Sequence, residues 1–211
     1  MLLEGLVRFR ALVILLAVLA GCTAMPAPSP TAAPPVAIAD EGECRRLIEA
    51  VTLIDDPTIR AADACRFTPI GAQAARDVMA NASASPDQLW AALWVYAASG
   101  SDPAPLRPLA SHADSTLRAM ASATLVAFGD RAGFVPLAEL LADQTSLSGA
   151  RPPVTVSAFA ANSLSRYVAA GGAPAADAAD PAAQASAWQA WLSANAETLQ
   201  YSVTEGVWTL P

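Results

Sequence analysis

The chain has no lysine and only one histidine, His112, among its 211 residues. All twelve basic residues are therefore arginines, and the formal net charge is -7. Proteins that bind nucleic acids need a stripe or patch of basic side chains to neutralise phosphates. The scattered arginines of this acidic chain form no such stripe in the sequence, so we expect no nucleic-acid partner.

Motifs of the common catalytic and cofactor sites are also missing from the sequence. It contains no nucleophile elbow, phosphate-binding loop, dinucleotide fingerprint or zinc-binding spacing. Asp55 and Asp56 are adjacent carboxylates that could serve acid–base or Ca²⁺ chemistry. A pair of this kind before a proline is more typical of a helix boundary. We therefore predict a protein without enzymatic activity, cofactor or bound metal.

An envelope hydrolase remains an alternative, with His112 as its centre. Its partners would have to be Asp114 and either Ser111 or Ser115, all close in sequence. Catalytic triads need groups that converge in space together with an oxyanion hole. A single histidine in a short connection between helices is weak support for such a site.

Alternating strand patterns are scarce, whereas proline repeatedly follows Ser, Thr or Asp. These pairs predict helix starts at Thr68, Ser85, Asp102 and Asp180, each capped by a side chain with proline at the first helical position. The sequence therefore predicts an all-α fold.

Apolar or small residues spaced by four lead to Gly100, Gly129 and Gly171, which we expect to end helices. The pattern recurs after about 28 and then about 42 residues, a spacing typical of repeated helix pairs. Such pairs stack into an α-solenoid. A two-stranded ribbon turning at Gly206 is predicted to follow the last helix as a small C-terminal cap.

A short apolar run near the amino terminus, from Ala11 to Ala20, follows Arg8 and Arg10. A bilayer-spanning helix needs about 20 apolar residues, so the run is typical of a secretory signal. It ends in Leu-Ala-Gly-Cys at Cys22, which resembles the lipobox of bacterial lipoproteins. The resemblance implies cleavage before Cys22 and acylation of its thiol. The alternative is an ordinary signal peptide with a chance cysteine.

The chain therefore divides into three parts: a lipoprotein signal peptide (1–21), a lipidated Cys22 with an Ala/Pro-rich tether (22–40), and a helical domain (41–211). Thr23 to Ala39 contains five prolines and no charge. Such a segment favours extended conformations and spans on the order of 50 Å at about 3.1 Å per residue. The expected location is the cell membrane or outer membrane, facing the periplasm or the exterior.

Two cysteines remain once Cys22 is assigned to lipid. Cys44 and Cys65 form an even set in an oxidising compartment, so we predict a disulfide between the first two helices. A redox pair or a metal site is the alternative. A redox pair usually requires Cys-x-x-Cys, and a metal site requires more ligands.

Residues 113–143 resemble a HEAT-type repeat of the short bacterial kind. The matching features are Asp114, Leu117-Arg118, an alanine-rich helix, Gly129-Asp130 and an apolar helix that ends near Asp143. A looser copy spans 86–112, and a third begins near 153. The resemblance implies stacked antiparallel helix pairs in the exported domain.

Aromatic residues either fill the core and cap the last repeat, or line a binding groove. Trp90 and Trp94 lie four residues apart on one predicted helix. With Arg118 they form the predicted binding surface, and the expected partner is another envelope protein. We therefore predict a non-enzymatic binding or scaffold lipoprotein, with an accessory assembly factor as a further alternative. The further aromatic residues that could either fill the core or line a groove lie near the carboxyl terminus: Trp188, Trp191, Tyr201 and Trp208.

Overall fold

A computed structural model describes residues 40–53, 56–100, 102–150, 152–175 and 180–211. The signal peptide, Cys22, the tether up to residue 39, and Asp55 lie outside these described residues. No helix among the described residues combines the length and apolar character needed to cross a bilayer.

The described chain is mostly helical, as the sequence predicts. The only strands in its described ranges form one short antiparallel pair. Three 3-10 turns follow or precede helices at Ala104–Leu106, Leu109–Ser111 and Arg131–Gly133. The helices are α1 (Glu41–Glu49), α2 (Asp56–Asp63), α3 (Pro69–Ala80), α4 (Pro86–Ser99), α5 (Ser115–Ala127), α6 (Phe134–Leu140), α7 (Val156–Tyr167) and α8 (Pro181–Asn195), and the strands are β1 (Gln200–Ser202) and β2 (Val207–Thr209).

Three of the four predicted helix starts are confirmed. The side chains of Thr68, Ser85 and Asp180 accept hydrogen bonds from backbone N–H groups in the first turns of α3, α4 and α8. Ser85 and Gln88 form the complete reciprocal capping box. Each cap satisfies donors that a helix start leaves unpaired.

The predicted helix start at Asp102 is wrong as an α-helix. Asp102 does accept the N–H of Ala104, at 3.0 Å, but it opens only two consecutive 3-10 turns. Pro105 and Pro108 follow within this segment. Proline lacks the donor for an i to i−4 bond, and its ring clashes with the preceding turn. The segment therefore stays as short turns.

The glycine predictions are confirmed at two positions and wrong at the third. Gly100 is the residue that directly follows α4, and Gly129 follows α5 with φ 79°. The N–H groups of Gly129 and Asp130 return to the carbonyls of Val126 and Leu125, which is a Schellman ending. Gly171, by contrast, lies beyond the end of α7.

Helix α7 ends earlier because the chain joins the strand pair. Its cap residue Val168 has extended backbone angles and bridges to Trp208, and the N–H of Ala169 donates to the Trp208 carbonyl at 2.9 Å. Backbone pairing with β2 therefore replaces the glycine cap.

Helix α5 is the shared wall of two hydrophobic clusters. Leu117, Ala121 and Leu125 pack with α1 to α4, while Ala123 and Val126 pack with α6, α7, α8 and the strand pair. Small residues allow neighbouring helices to approach closely on both sides. Helix α5 packs against α4, α6 and α7, and α6 also packs against α8.

The predicted C-terminal ribbon is confirmed. Tyr201 in β1 pairs with Trp208 in β2, and Gly206 has φ 68° in the turn between the strands. Trp208 is only 2% exposed, and its ring contacts Phe134 edge-on at 5.0 Å between centroids. The ribbon therefore packs against the middle of the domain as well as its end.

Cys44 in α1 and Cys65, two residues after α2, lie at disulfide-bonding distance with Cα atoms 5.8 Å apart. Both side chains are fully buried. The pair would connect α1 to the segment between α2 and α3.

We predict that replacing both cysteines with alanine lowers the free energy of unfolding by about 3 kcal/mol, because a bond across 21 residues restricts the unfolded chain. Urea unfolding of the oxidised protein and the double variant measures the difference. Peptide mass spectrometry without reductant should find Cys44 joined to Cys65. Two free thiols in correctly exported protein would refute the disulfide.

Candidate functional site

An open cleft of about 470 Å³ lies where three segments of the chain meet. The 3-10 turns after α4 supply one side, the connection between α5 and α6 supplies the second, and the ribbon supplies the third. Its lining residues are Pro103, Arg107, Gly129, Asp130, Arg131, Tyr201 and Trp208. The volume falls within the range typical of ligand clefts.

Asp130 organises one side of the cleft. Its Oδ1 accepts a hydrogen bond from the backbone N–H of Ala132 at 2.9 Å, and its Oδ2 accepts one from Arg107 Nε at 2.8 Å. The Asp130 side chain is 10% exposed, whereas that of Arg107 is 59% exposed. The buried carboxylate therefore fixes one edge of the Arg107 guanidinium and leaves the rest of the group facing solvent.

Arg131 is held from the opposite side. Its Nη2 donates to the carbonyl of Leu199, just before β1. Its guanidinium carbon lies 5.8 Å from the Trp208 ring centroid, within cation–π range. Nη1 lies 3.7 Å from the carboxylate of Glu197, whose side chain is 97% exposed, so this pair contributes little. Arg131 thus connects the ribbon to the end of the α5–α6 connection.

Two aromatic residues of the ribbon complete the wall. The Tyr201 hydroxyl donates to the carbonyl of Ala127, and Trp208 Nε1 donates to the carbonyl of Val126 at 2.9 Å. Burial raises the pKa of the Tyr201 phenol.

Gly129 is required beneath Tyr201. A Cβ atom at this position would lie 2.6 Å from the Tyr201 ring, and the positive φ also disfavours other residues. The glycine that ends α5 therefore also makes room for the ribbon.

The predicted Trp90 and Trp94 surface lies elsewhere. The two rings stack with centroids 5.7 Å apart, and Trp90 is 8% exposed. Trp94 Nε1 donates to Asp63 at 3.2 Å, and the Arg66 guanidinium carbon lies 3.9 Å from the Trp94 ring centroid and 5.0 Å from that of Phe67. The tryptophan pair is thus already engaged by neighbouring side chains.

The Arg118 side chain bonds the turn before its own helix and not the tryptophan pair. Its Nη1 donates to the carbonyls of His112 and Ala113, at 2.8 and 2.9 Å. Asp114 caps α5 by accepting the N–H of Leu117 at 3.1 Å. Arg118 therefore closes the turn before its own helix.

Trp90 borders a crevice of about 40 Å³, which is too small for a peptide.

The groups of the hydrolase alternative are close in sequence but do not form a relay. His112 Nδ1 accepts the backbone N–H of Asp114 at 3.0 Å. The Ser115 hydroxyl lies 3.3 Å from that of Thr145. Within the described ranges, no group of three or more His, Cys, Asp or Glu side chains is placed to hold a metal ion.

The sequence alone identified none of the cleft's charged residues as a site. In the sequence, Gly129-Asp130 indicates only a repeat pattern. The features that could indicate a site are the aspartate after the helix-ending glycine and Arg131, which follows it directly.

Comparison of the chain with models of protein families, with curated proteins and with solved structures finds no match.

Proposed function

We propose that this chain is a lipid-anchored protein of the cell envelope that binds another envelope protein and acts as a scaffold. Its domain would be a short α-solenoid of HEAT-like helix pairs, and the partner would dock on the cleft face. The cleft between Arg107, Arg131 and the ribbon is the observation that carries the docking proposal.

The pattern of helix contacts supports the solenoid. Helix α5 packs against both α4 and α7, as the first helices of consecutive repeats would in a solenoid. Helices α6 and α8 pack together as the second helices of the last two repeats. In the first repeat the two 3-10 turns take the place of the second helix. Stacked pairs of this kind build a continuous surface suited to protein partners.

The open form of the cleft supports a macromolecular partner. It combines exposed arginine with the partly buried Tyr201, residue types that are enriched in protein interfaces. Its walls come from segments far apart in the chain, so its geometry depends on the folded domain. A folded surface held near the membrane by a long tether can meet partners at raised local concentration.

We predict that Cys22→Ser abolishes lipid modification and cleavage of the signal peptide. Acyl chains contribute about 0.8 kcal/mol per buried CH₂, and two or more chains are needed for stable anchoring. Fractionation of cells that produce the variant should find unprocessed precursor and no lipidated mature protein. Normal processing and membrane retention of the variant would contradict the anchor.

We predict that Arg107→Glu reduces capture of the partner from solubilised membranes at least about tenfold, because it reverses charge beside Asp130 and inside the cleft. Arg60→Glu is the matched control, since Arg60 is an exposed arginine on α2 outside the cleft. Quantitative mass spectrometry of pull-downs with the full chain measures the loss. Equal capture by both variants would contradict docking at the cleft.

A further inference from the structure

We propose that the cleft binds the side-chain carboxylate of a single Asp or Glu in an extended segment of the partner. The proposal rests on the proposed function, since it names the group that the docking face recognises. Arg107 and Arg131 would receive the carboxylate, and Pro103 and Tyr201 would contact its apolar neighbours.

The two arginines are fixed before any ligand arrives. Arg107 is held through Nε by Asp130, and Arg131 is held through Nη2 by the Leu199 carbonyl. Among the described residues, none accepts a hydrogen bond from the Nη atoms of Arg107. A planar guanidinium held at one edge presents its other N–H groups in the geometry that matches a carboxylate. Fixing the donors in advance lowers the entropy lost on binding.

Charge balance favours one carboxylate over a phosphate. Glu197, 97% exposed and 3.7 Å from Arg131 Nη1, lies outside the lining. The lining itself holds two guanidinium groups and the Asp130 carboxylate, and therefore carries one net positive charge. A singly charged carboxylate neutralises it, whereas a doubly charged phosphate would leave an excess negative charge in a domain of an already acidic chain. The remainder of the bound segment is therefore expected to be neutral or basic.

The backbone beside the cleft favours a side chain over a chain terminus. Terminal carboxylates are typically captured by free backbone N–H groups arranged as a nest. Here the N–H groups of Gly129, Asp130 and Ala132 are already bonded to Val126 O, Leu125 O and Asp130 Oδ1. The guanidinium groups of Arg107 and Arg131 supply side-chain donors at the cleft, and the open cleft lets a segment continue past them.

The test uses the full chain in detergent micelles and an array of random 12-residue peptides, acetylated and amidated so that they carry no terminal carboxylate. Selected peptides should share an Asp or Glu beside an apolar residue. Fluorescence anisotropy should show that changing this residue to Asn or Gln weakens binding at least about tenfold, or about 1.4 kcal/mol. In the Arg107→Gln protein, changing the peptide's Asp or Glu to Asn or Gln should weaken binding little further. Arg60→Gln should behave as the unmodified protein.

Three outcomes overturn the proposal, and they separate it from the proposed function. Equal binding of Glu and Gln peptides through Arg107 would refute the carboxylate and leave protein docking in place. Displacement of the peptide by glycerol phosphate at concentrations where acetate has no effect, at equal ionic strength, would assign the cleft to phosphate. An array without any peptide that depends on Arg107 would refute both the carboxylate and docking at the cleft.

Discussion

Replacing Trp208 with alanine is expected to lower the free energy of unfolding by about 4 kcal/mol, the cost typical of removing a buried tryptophan. The ring is almost fully buried and contacts Phe134. Its Nε1 also bonds the Val126 carbonyl at the end of α5. Urea unfolding followed by circular dichroism measures the loss. The change also removes one wall of the cleft, so partner capture should fall with it.

Trp208→Phe separates the ring from its hydrogen bond. Phenylalanine retains most of the apolar contact with Phe134 but cannot donate to Val126, a bond that contributes only about 1 kcal/mol. The phenylalanine variant should therefore recover most of the stability lost with alanine. A Trp208→Ala protein as stable as the unmodified chain would show that the ribbon does not pack on the α5–α6 connection.

The second large effect is expected from Gly133→Ala, which should destabilise the domain by about 3 kcal/mol through overpacking. A Cβ atom at Gly133 would lie 2.2 Å from the carbonyl oxygen of Ser122 and 2.8 Å from Val126 Cγ2. The backbone of Gly133 itself is in the right-handed helical region, with φ -77°. The expected loss of stability therefore measures how closely the start of α6 packs on α5. It does not arise from a strained glycine backbone.

Gly171→Ala is the matched control. A Cβ atom there would have no neighbour within 4 Å. It should leave the urea midpoint unchanged or raise it slightly, because alanine restricts the unfolded chain. A Gly133→Ala protein that matches this control would contradict the close packing of the α5–α6 pair on which the proposed solenoid depends.

Local features of the fold were predictable from the sequence because they depend on neighbouring residues. The capping box of Ser85 and Gln88 and the ribbon turn at Gly206 are determined within a few positions. The errors arose where another segment decided the outcome. Gly171 does not end α7 because β2 pairs with the chain at Val168 first. The Asp102 segment failed as a helix because its prolines outweigh its cap.

The cleft itself was not predictable from local pattern. Arg107 meets Asp130 across 23 residues, and Arg131 meets Leu199 across 68 residues. These pairings depend on how the ribbon packs against the end of α5, which no short motif encodes. The spacing of Trp90 and Trp94 predicts that they share a helix face, but the burial of Trp90 and the contacts of Trp94 with Asp63 and Arg66 depend on other segments of the chain.

We propose that the cleft face docks a protein at the membrane. The most direct test is crosslinking in cells with a photoreactive amino acid at position 103, which lines the cleft, and at position 60 as the control. We expect a light-dependent adduct with a second envelope protein from position 103 and none from position 60. An adduct from position 60 without one from position 103 would contradict docking at the cleft.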